Sequence, residues 1–266
     1  NSVQTEIFMF SIQFLKKGLF DISEGFFFQV VDCISACILH FDDLEIFDID
    51  EYIVFLVETL KTKYFPARES IFKLFKIVTQ PPFLYKFYPQ FVGEIIVRTI
   101  EWYKSNDYQN YMKYFTYFVD FISNVIVNQN EILDALNSIN FLEELFSIFE
   151  NESYKLKSHI MNLFMNLSSP NLWPKTITFY VDHHIVTELI LLVTSAQNDE
   201  DFAVQIINCL FQISDVKFLD PYPTQKVYII SEFQSEIVEE SLESFEMEQS
   251  TINEMIYELK NRIKEL

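Results

Sequence analysis

Phe141-Leu-Glu-Glu-Leu-Phe-Ser-Ile-Phe-Glu150 is followed, after a short polar loop, by Leu156-Lys-Ser-His-Ile-Met-Asn-Leu-Phe-Met-Asn-Leu-Ser168. Ile185-Val-Thr-Glu-Leu-Ile-Leu-Leu-Val-Thr194 is followed in the same way by Phe202-Ala-Val-Gln-Ile-Ile-Asn-Cys-Leu-Phe-Gln-Ile-Ser214. Each stretch reads as a hydrophobic helix, a loop and a second helix that closes in Asn-Leu-Ser or Gln-Ile-Ser. Such a unit buries its apolar face by stacking on copies of itself, and repetition at about 40–47 residues marks stacked helix pairs or triplets. The expected fold class is therefore all-α, with function falling to extended surfaces rather than to a deep pocket.

The second helix of each unit can be laid in register along the chain. Phe118-Phe121-Ile122-Val125 matches Ile160-Leu163-Phe164-Leu167 and again Ile206-Cys209-Leu210-Ile213, each an i, i+3, i+4, i+7 stripe that buries one helix face. Asn124, Asn166 and Gln212 fall at equivalent places in these helices. An earlier copy, Ile71-Leu74-Phe75-Val78, carries the apolar pattern with Ile77 in place of the amide. First helices near 51–60, 91–102, 141–149 and 185–193 complete about four units within residues 48–220. Residues 1–47 read as degenerate N-terminal capping helices and 221–266 as an acidic C-terminal helical segment.

This unit resembles an armadillo repeat, whose third helix commonly ends in a Leu-x-Asn-Leu-Ser-like string. The match spans roughly residues 50–215 and is clearest over 107–214. The resemblance implies an armadillo/HEAT-like right-handed α-solenoid. It also implies that Asn124, Asn166 and Gln212 form a ladder that grips the backbone of an extended peptide. Importin-alpha proteins, which are distantly similar, add a Trp one turn before each ladder Asn to stack on lysine stems. Here those places hold Asp120, Asn162 and Asn208, so the Trp array is lacking.

Composition agrees with helices. The chain has 266 residues, half of them hydrophobic, with 29 Phe but 3 Gly and 8 Pro, too few breakers for the turns of an all-β fold. Five Ala accompany the Phe excess, as AT-rich codon usage would produce, and Phe then does core work that Leu and Ala do elsewhere. Helical periodicity covers about 3–17, 24–40, 49–64, 67–79, 83–104, 107–128, 131–150, 154–168, 173–196, 200–214 and 226–266. Breaks are expected at Pro89, near Asn140 and near Val181-Asp182, and Asp48, Ser153 and Asp199 can cap helix N-termini with their side-chain oxygens.

A formal charge of −20 and a pI near 4.5 argue against nucleic acid and anionic membranes as partners. The charge is uneven. Residues 61–113 hold nine bases against four acids, and Lys61, Lys63, Arg68, Lys73 and Lys76 make a basic island that reads either as a solvated face or as a docking patch for an acidic partner. Three cysteines make no disulfide framework and fit a reducing compartment, and no signal peptide or long apolar span is evident. The expectation is cytoplasmic, with nuclear or cytoskeletal association open. The first residue is Asn, which fits a segment of a longer protein.

In the C-terminal segment, Val238, Leu242, Phe245, Gln249, Ile252, Ile256, Leu259, Ile263 and Leu266 follow steps of four and three, an a/d seam over about four heptads. Acids load its first half, and Lys260, Arg262 and Lys264 its last turns, which suits the helix dipole. Two readings fit equally. One is a coiled-coil partner helix, through Leu242, Phe245, Ile252, Ile256, Leu259 and Ile263, that supports self-association or a partner coil over 226–266. The other is a helix that caps the repeats.

Catalytic and metal signals are weak. Cys33, Cys37 and His40 share a helix face but lack a fourth ligand, and His183, His184 and Glu188 read as surface residues. The acids of 42–51 lack the turn Gly and the spacing of a calcium loop. No Gly-rich phosphate loop or nucleophile elbow is present. No catalytic residue, metal or cofactor is expected. The expected function is a non-enzymatic scaffold or adaptor for protein or peptide partners in a larger cytoskeletal, ciliary or trafficking assembly; the alternative is a divergent importin-alpha-like nuclear transport adaptor.

Overall fold

The computed structural model describes residues 6–7, 9–11, 13, 24–38, 49–60, 67–105, 108–129, 131–169, 171–196, 199–245 and 250–266. Among these residues the fold is all-α, without a strand. The chain divides into two compact units, Asn1–Phe141 and Leu142–Leu266. The edge expected at 47–48 lies outside the described residues.

The first unit contains α1 (Glu24–Ile38), α2 (Ile49–Leu60), α3 (Ala67–Val78), α4 (Pro89–Lys104), α5 (Tyr108–Asn128) and α6 (Ile132–Ser138). Its most extensive packing is between α3 and α5, followed by α1 against α3. The apolar stripes explain both contacts. Ile71, Leu74, Phe75 and Val78 of α3 and Phe118, Phe121, Ile122 and Val125 of α5 are all buried. Val31, Ile34 and Ile38 of α1 show the same spacing and are fully buried, so the segment read as a degenerate cap holds a helix of the same pattern.

The second unit contains α7 (Phe141–Asn151, starting at the boundary), α8 (Tyr154–Leu167), α9 (Trp173–Asp182), α10 (Ile185–Ser195) and α11 (Glu200–Ile213), then a 3-10 turn at Val216–Leu219. It ends in α12 (Pro223–Phe233), α13 (Glu236–Glu243) and α14 (Ser250–Lys264). Helix α8 packs on α11, and α11 on α10.

Local chemistry sets the helix ends. Pro89 opens α4 at its first turn, where the missing amide costs nothing. Asn140 separates α6 from α7 with a left-handed φ of 52°, a conformation in which a short polar side chain is tolerated. His184, at φ 49°, makes the break between α9 and α10. Asp199 Oδ1 accepts from the Phe202 amide at 3.1 Å and caps α11. Ser153 stands at the N-cap of α8 in extended conformation without a side-chain cap bond, and Asp48 lies outside the described residues.

The C-terminal segment is not the single helix expected over 226–266. It is three helices, broken at Gln234-Ser235 and again at Ser244-Phe245. Ser235 is extended (φ −72°, ψ 149°) and begins α13, whose first turn carries Glu236 and Glu239 at the positive end of the dipole. The a/d spacing reported helical period, which survives a turn between helices. The seam points inward: Leu242, Phe245, Ile252, Ile256, Leu259 and Ile263 are all buried, with α13 on α10 and α14 on α11. The seam is therefore part of the core of the second unit. Gln249 lies outside the described residues.

Among the described residues no single helix is long and apolar enough to cross a membrane. Residues 175–182 and 185–195 pass that test only as a pair bent by 63°, and α10 buries five of its apolar side chains inside the unit.

Candidate binding face

The three amides singled out by their register lie on the helices whose stripes match, and two of them bridge to the preceding matched helix. In the first unit, Asn124 Nδ2 of α5 donates to Thr79 Oγ1 at 3.3 Å and lies 3.4 Å from the Lys76 carbonyl oxygen. In the second, Ser168 Oγ donates to Gln212 Oε1 of α11 at 2.7 Å. Thr79 follows Val78 and Ser168 follows Leu167, the last stripe residues of their helices. The bridge therefore joins the same two register positions in both units, across 45 residues in one and 44 in the other. Only the direction of the proton differs, because an amide carries both a donor and an acceptor. Asn166 is half-buried on α8.

A second hydroxyl–amide bond, from Ser158 Oγ to Gln205 Oε1 at 2.7 Å, ties the other end of α8 to α11. Asn162 and Asn166 on α8 and Asn208 on α11 fall between the two ties in sequence, with Gln212 one turn beyond Asn208 and itself part of the second tie. Asn162, Asn208 and Gln212 are exposed. This edge is an uncharged row of amides, each carrying both donor and acceptor atoms. In the sequence Asn162 and Asn208 stand where importin-alpha proteins have Trp, and their i, i+4 relation to Asn166 and Gln212 is the signal that extends the row. In the first unit the equivalent place, Asp120, is taken by an ion pair with Lys76 at 2.6 Å.

A double-mutant cycle on Ser168→Ala and Gln212→Ala is expected to give a coupling of about 0.5–1 kcal/mol in urea denaturation, the net worth of a partly exposed hydrogen bond. Additive losses would mean that the bridge is not held in solution.

The basic island does not form a patch among the described residues. Arg68 is buried at 1% exposure, its guanidinium 3.3 Å from the Trp102 ring centroid and 5.8 Å from that of Tyr114. A cation stacked this way stabilises by about 2 kcal/mol when desolvated, so Arg68 is a core residue. Lys76 pairs with Asp120 and sits 5.8 Å from the Tyr117 ring. Lys73 is exposed, and Lys61 and Lys63 lie outside the described residues.

His183 and His184 each meet a carboxylate. His183 packs between Phe146 and Phe179, 4.8 Å from each ring centroid, and its Nε2 contacts Glu143. His184 Nδ1 lies 2.8 Å from Oε1 of Glu232, which reaches from α12 to the start of α10. Burial raises the Glu232 pKa, opposed by His184 and by the amides of Val186 and Thr187 at the positive end of α10. Cys209 is fully buried, which pushes its thiol up to about 12, against a hydrogen bond from Ser168. Burial, then its neighbour Cys33, raises Cys37; His40 lies outside the described residues. Among the described residues no three His, Cys, Asp or Glu side chains gather as a metal site.

No protein-family model and no curated protein sequence matches the chain. Among solved structures it is similar to the crystal structure of an engineered protein, over 100% of this chain and 97% of that one, with a TM-score of 0.56 and 13% sequence identity. At that identity the likeness bears on fold alone, and it agrees with an all-helical chain of many packed helices.

Proposed function

We propose that the chain is a non-enzymatic, armadillo-like scaffold that holds an extended peptide segment of a protein partner along the amide row of α8 and α11. The observation that carries this reading is the recurrence of one hydroxyl–amide bridge at the same register in both units, which is how stacked copies of a repeat hold one another. Repeat stacks offer long uncharged or charged rows rather than closed pockets, and such rows suit segments whose own backbone groups seek partners. A cytoskeletal, ciliary or trafficking assembly is the proposed setting.

The test places a photocrosslinking amino acid at Asn208 in the row, and for comparison at Val227 of α12, which is 66% exposed. Crosslinks formed in native extract are then identified by mass spectrometry. A protein captured from Asn208, absent from Val227 and lost on Asn162→Ala plus Gln212→Ala supports the scaffold. Equal capture from both positions, or none from Asn208, removes it. Capture that a Lys/Arg-rich peptide competes away would instead favour the importin-alpha-like adaptor.

A further inference from the structure

The chain's three cysteines are all free thiols, and they differ in where they lie. Cys209 is fully buried in α11, where a thiol serves as a small apolar side chain. Cys33 and Cys37 are placed differently. Both stand on α1 beside the buried stripe of Val31, Ile34 and Ile38, with Cys33 exposed and Cys37 half-buried. They are one turn apart, and the Cys37 thiol is hydrogen-bonded to that of Cys33, so the two sulfurs are in contact.

This pair is poorly spaced for a disulfide and well spaced for a bridging metal. A disulfide needs Cβ atoms about 3.5–4.5 Å apart, whereas residues one turn apart on a helix hold theirs at about 5–6 Å. A thiolate–metal bond of about 2.3 Å gives a linear sulfur–metal–sulfur unit a span of roughly 4.6 Å. Two thiols on one helix face reach that span by rotating their side chains, with the backbone in place.

The number of ligands selects the metal. Structural zinc takes four, and among the described residues no third His, Cys, Asp or Glu joins these two thiols. Cu(I) is a soft cation that thiolates select, and two of them complete a linear coordination. The surroundings agree. Cys33 lines a cleft of about 270 Å³ together with Phe10, Phe26, Val30, Ser11 and Gln29. Phe10 is 70% exposed, so the cleft opens at the surface and a copper donor can reach the Cys33 sulfur. Its lining is mostly apolar and brings no charged group, which favours a soft ligand set over oxygen ligands.

We propose that Cys33 and Cys37 form a two-thiolate site for a single Cu(I) ion. On binding, each sulfur gives its proton to solvent and forms one bond to copper. The copper stays monovalent, so no oxidant or reductant enters the step. The site lies in the first unit, apart from the amide row, and stands without it.

The experiment adds Cu(I) to the full reduced chain without oxygen, in competition with the chromogenic chelator bicinchoninate. One Cu(I) per chain is expected to be withheld from the chelator. Cys33→Ser and Cys37→Ser, each checked by an unaltered melting curve, are each expected to weaken retention by more than about a hundredfold, beyond what a change around the ligands costs. Cys209→Ala is expected to retain copper as the parent does, and X-ray absorption at the copper edge is expected to show two sulfur neighbours. Copper lost wholly to the chelator, retention that either serine variant leaves intact, or retention that only Cys209→Ala removes would each overturn the proposal. So would sedimentation showing that copper is held between two chains, since the two thiolates would then belong to different molecules.

Discussion

Phe75→Ala is expected to destabilise the first unit by about 3–5 kcal/mol, a large share of the 5–15 kcal/mol by which a domain is typically stable. The Phe75 ring is wholly buried on α3, with ring centroids of Phe87 at 5.0 Å, Phe121 at 5.3 Å and Phe72 at 6.2 Å. Tilted and edge-to-face pairs of this kind add about 0.5–1.5 kcal/mol each beyond the area they bury. The cavity left by the substitution cannot close easily, because its walls stand on three separate segments. Phe87 is itself fixed: its amide donates to Gln129 Oε1 at 2.8 Å and its carbonyl accepts from Gln129 Nε2 at 3.1 Å. Urea denaturation followed by circular dichroism measures the loss. Phe164→Ala, which removes a buried ring of α8 surrounded by Phe149, Phe179 and Phe146, is the comparison in the second unit. A loss below about 1.5 kcal/mol for Phe75→Ala, in the range of a conservative core swap, would contradict the packing described for α3 and α5.

What the sequence made legible was what a few adjacent residues decide. The stripe over 71–78, its copies over 118–125, 160–167 and 206–213, the helix start at Pro89, the left-handed turn at Asn140 and the cap at Asp199 all follow from period or from single-residue stereochemistry. What it hid depended on partners a repeat length away. Arg68 reads as a surface cation until Trp102 is placed beneath it, and nothing within 61–76 announces that. Asn124 and Gln212 were recognisable as equivalent, but whether each amide faces a ligand or a neighbouring helix depends on Thr79 and Ser168. Lys76 likewise reads as a free surface cation within 61–76, and only the fold brings it to Asp120 of α5. The break at Ser244-Phe245 is hidden in the sequence because the apolar steps of three and four run through it.

Leu259→Ala, and more severely Leu259→Asp, is expected to unfold the end of the second unit without altering how the chain associates. Leu259 is fully buried on α14, which packs on α11, and truncation of such a side chain costs about 2–5 kcal/mol. An Asp there adds the desolvation of a charge with no counter-ion provided, which is larger still. A coiled-coil seam would behave differently. Its apolar row would be exposed in the monomer and covered only by a partner, so truncation would weaken association and leave the monomer's own stability nearly unchanged. Protein concentration separates the two cases. When the seam is internal core, the urea midpoints of the parent and of Leu259→Ala differ by the same amount across a hundredfold range of concentration. When it is a partner surface, the parent's midpoint climbs with concentration, since association stabilises by mass action, and the variant's climbs less.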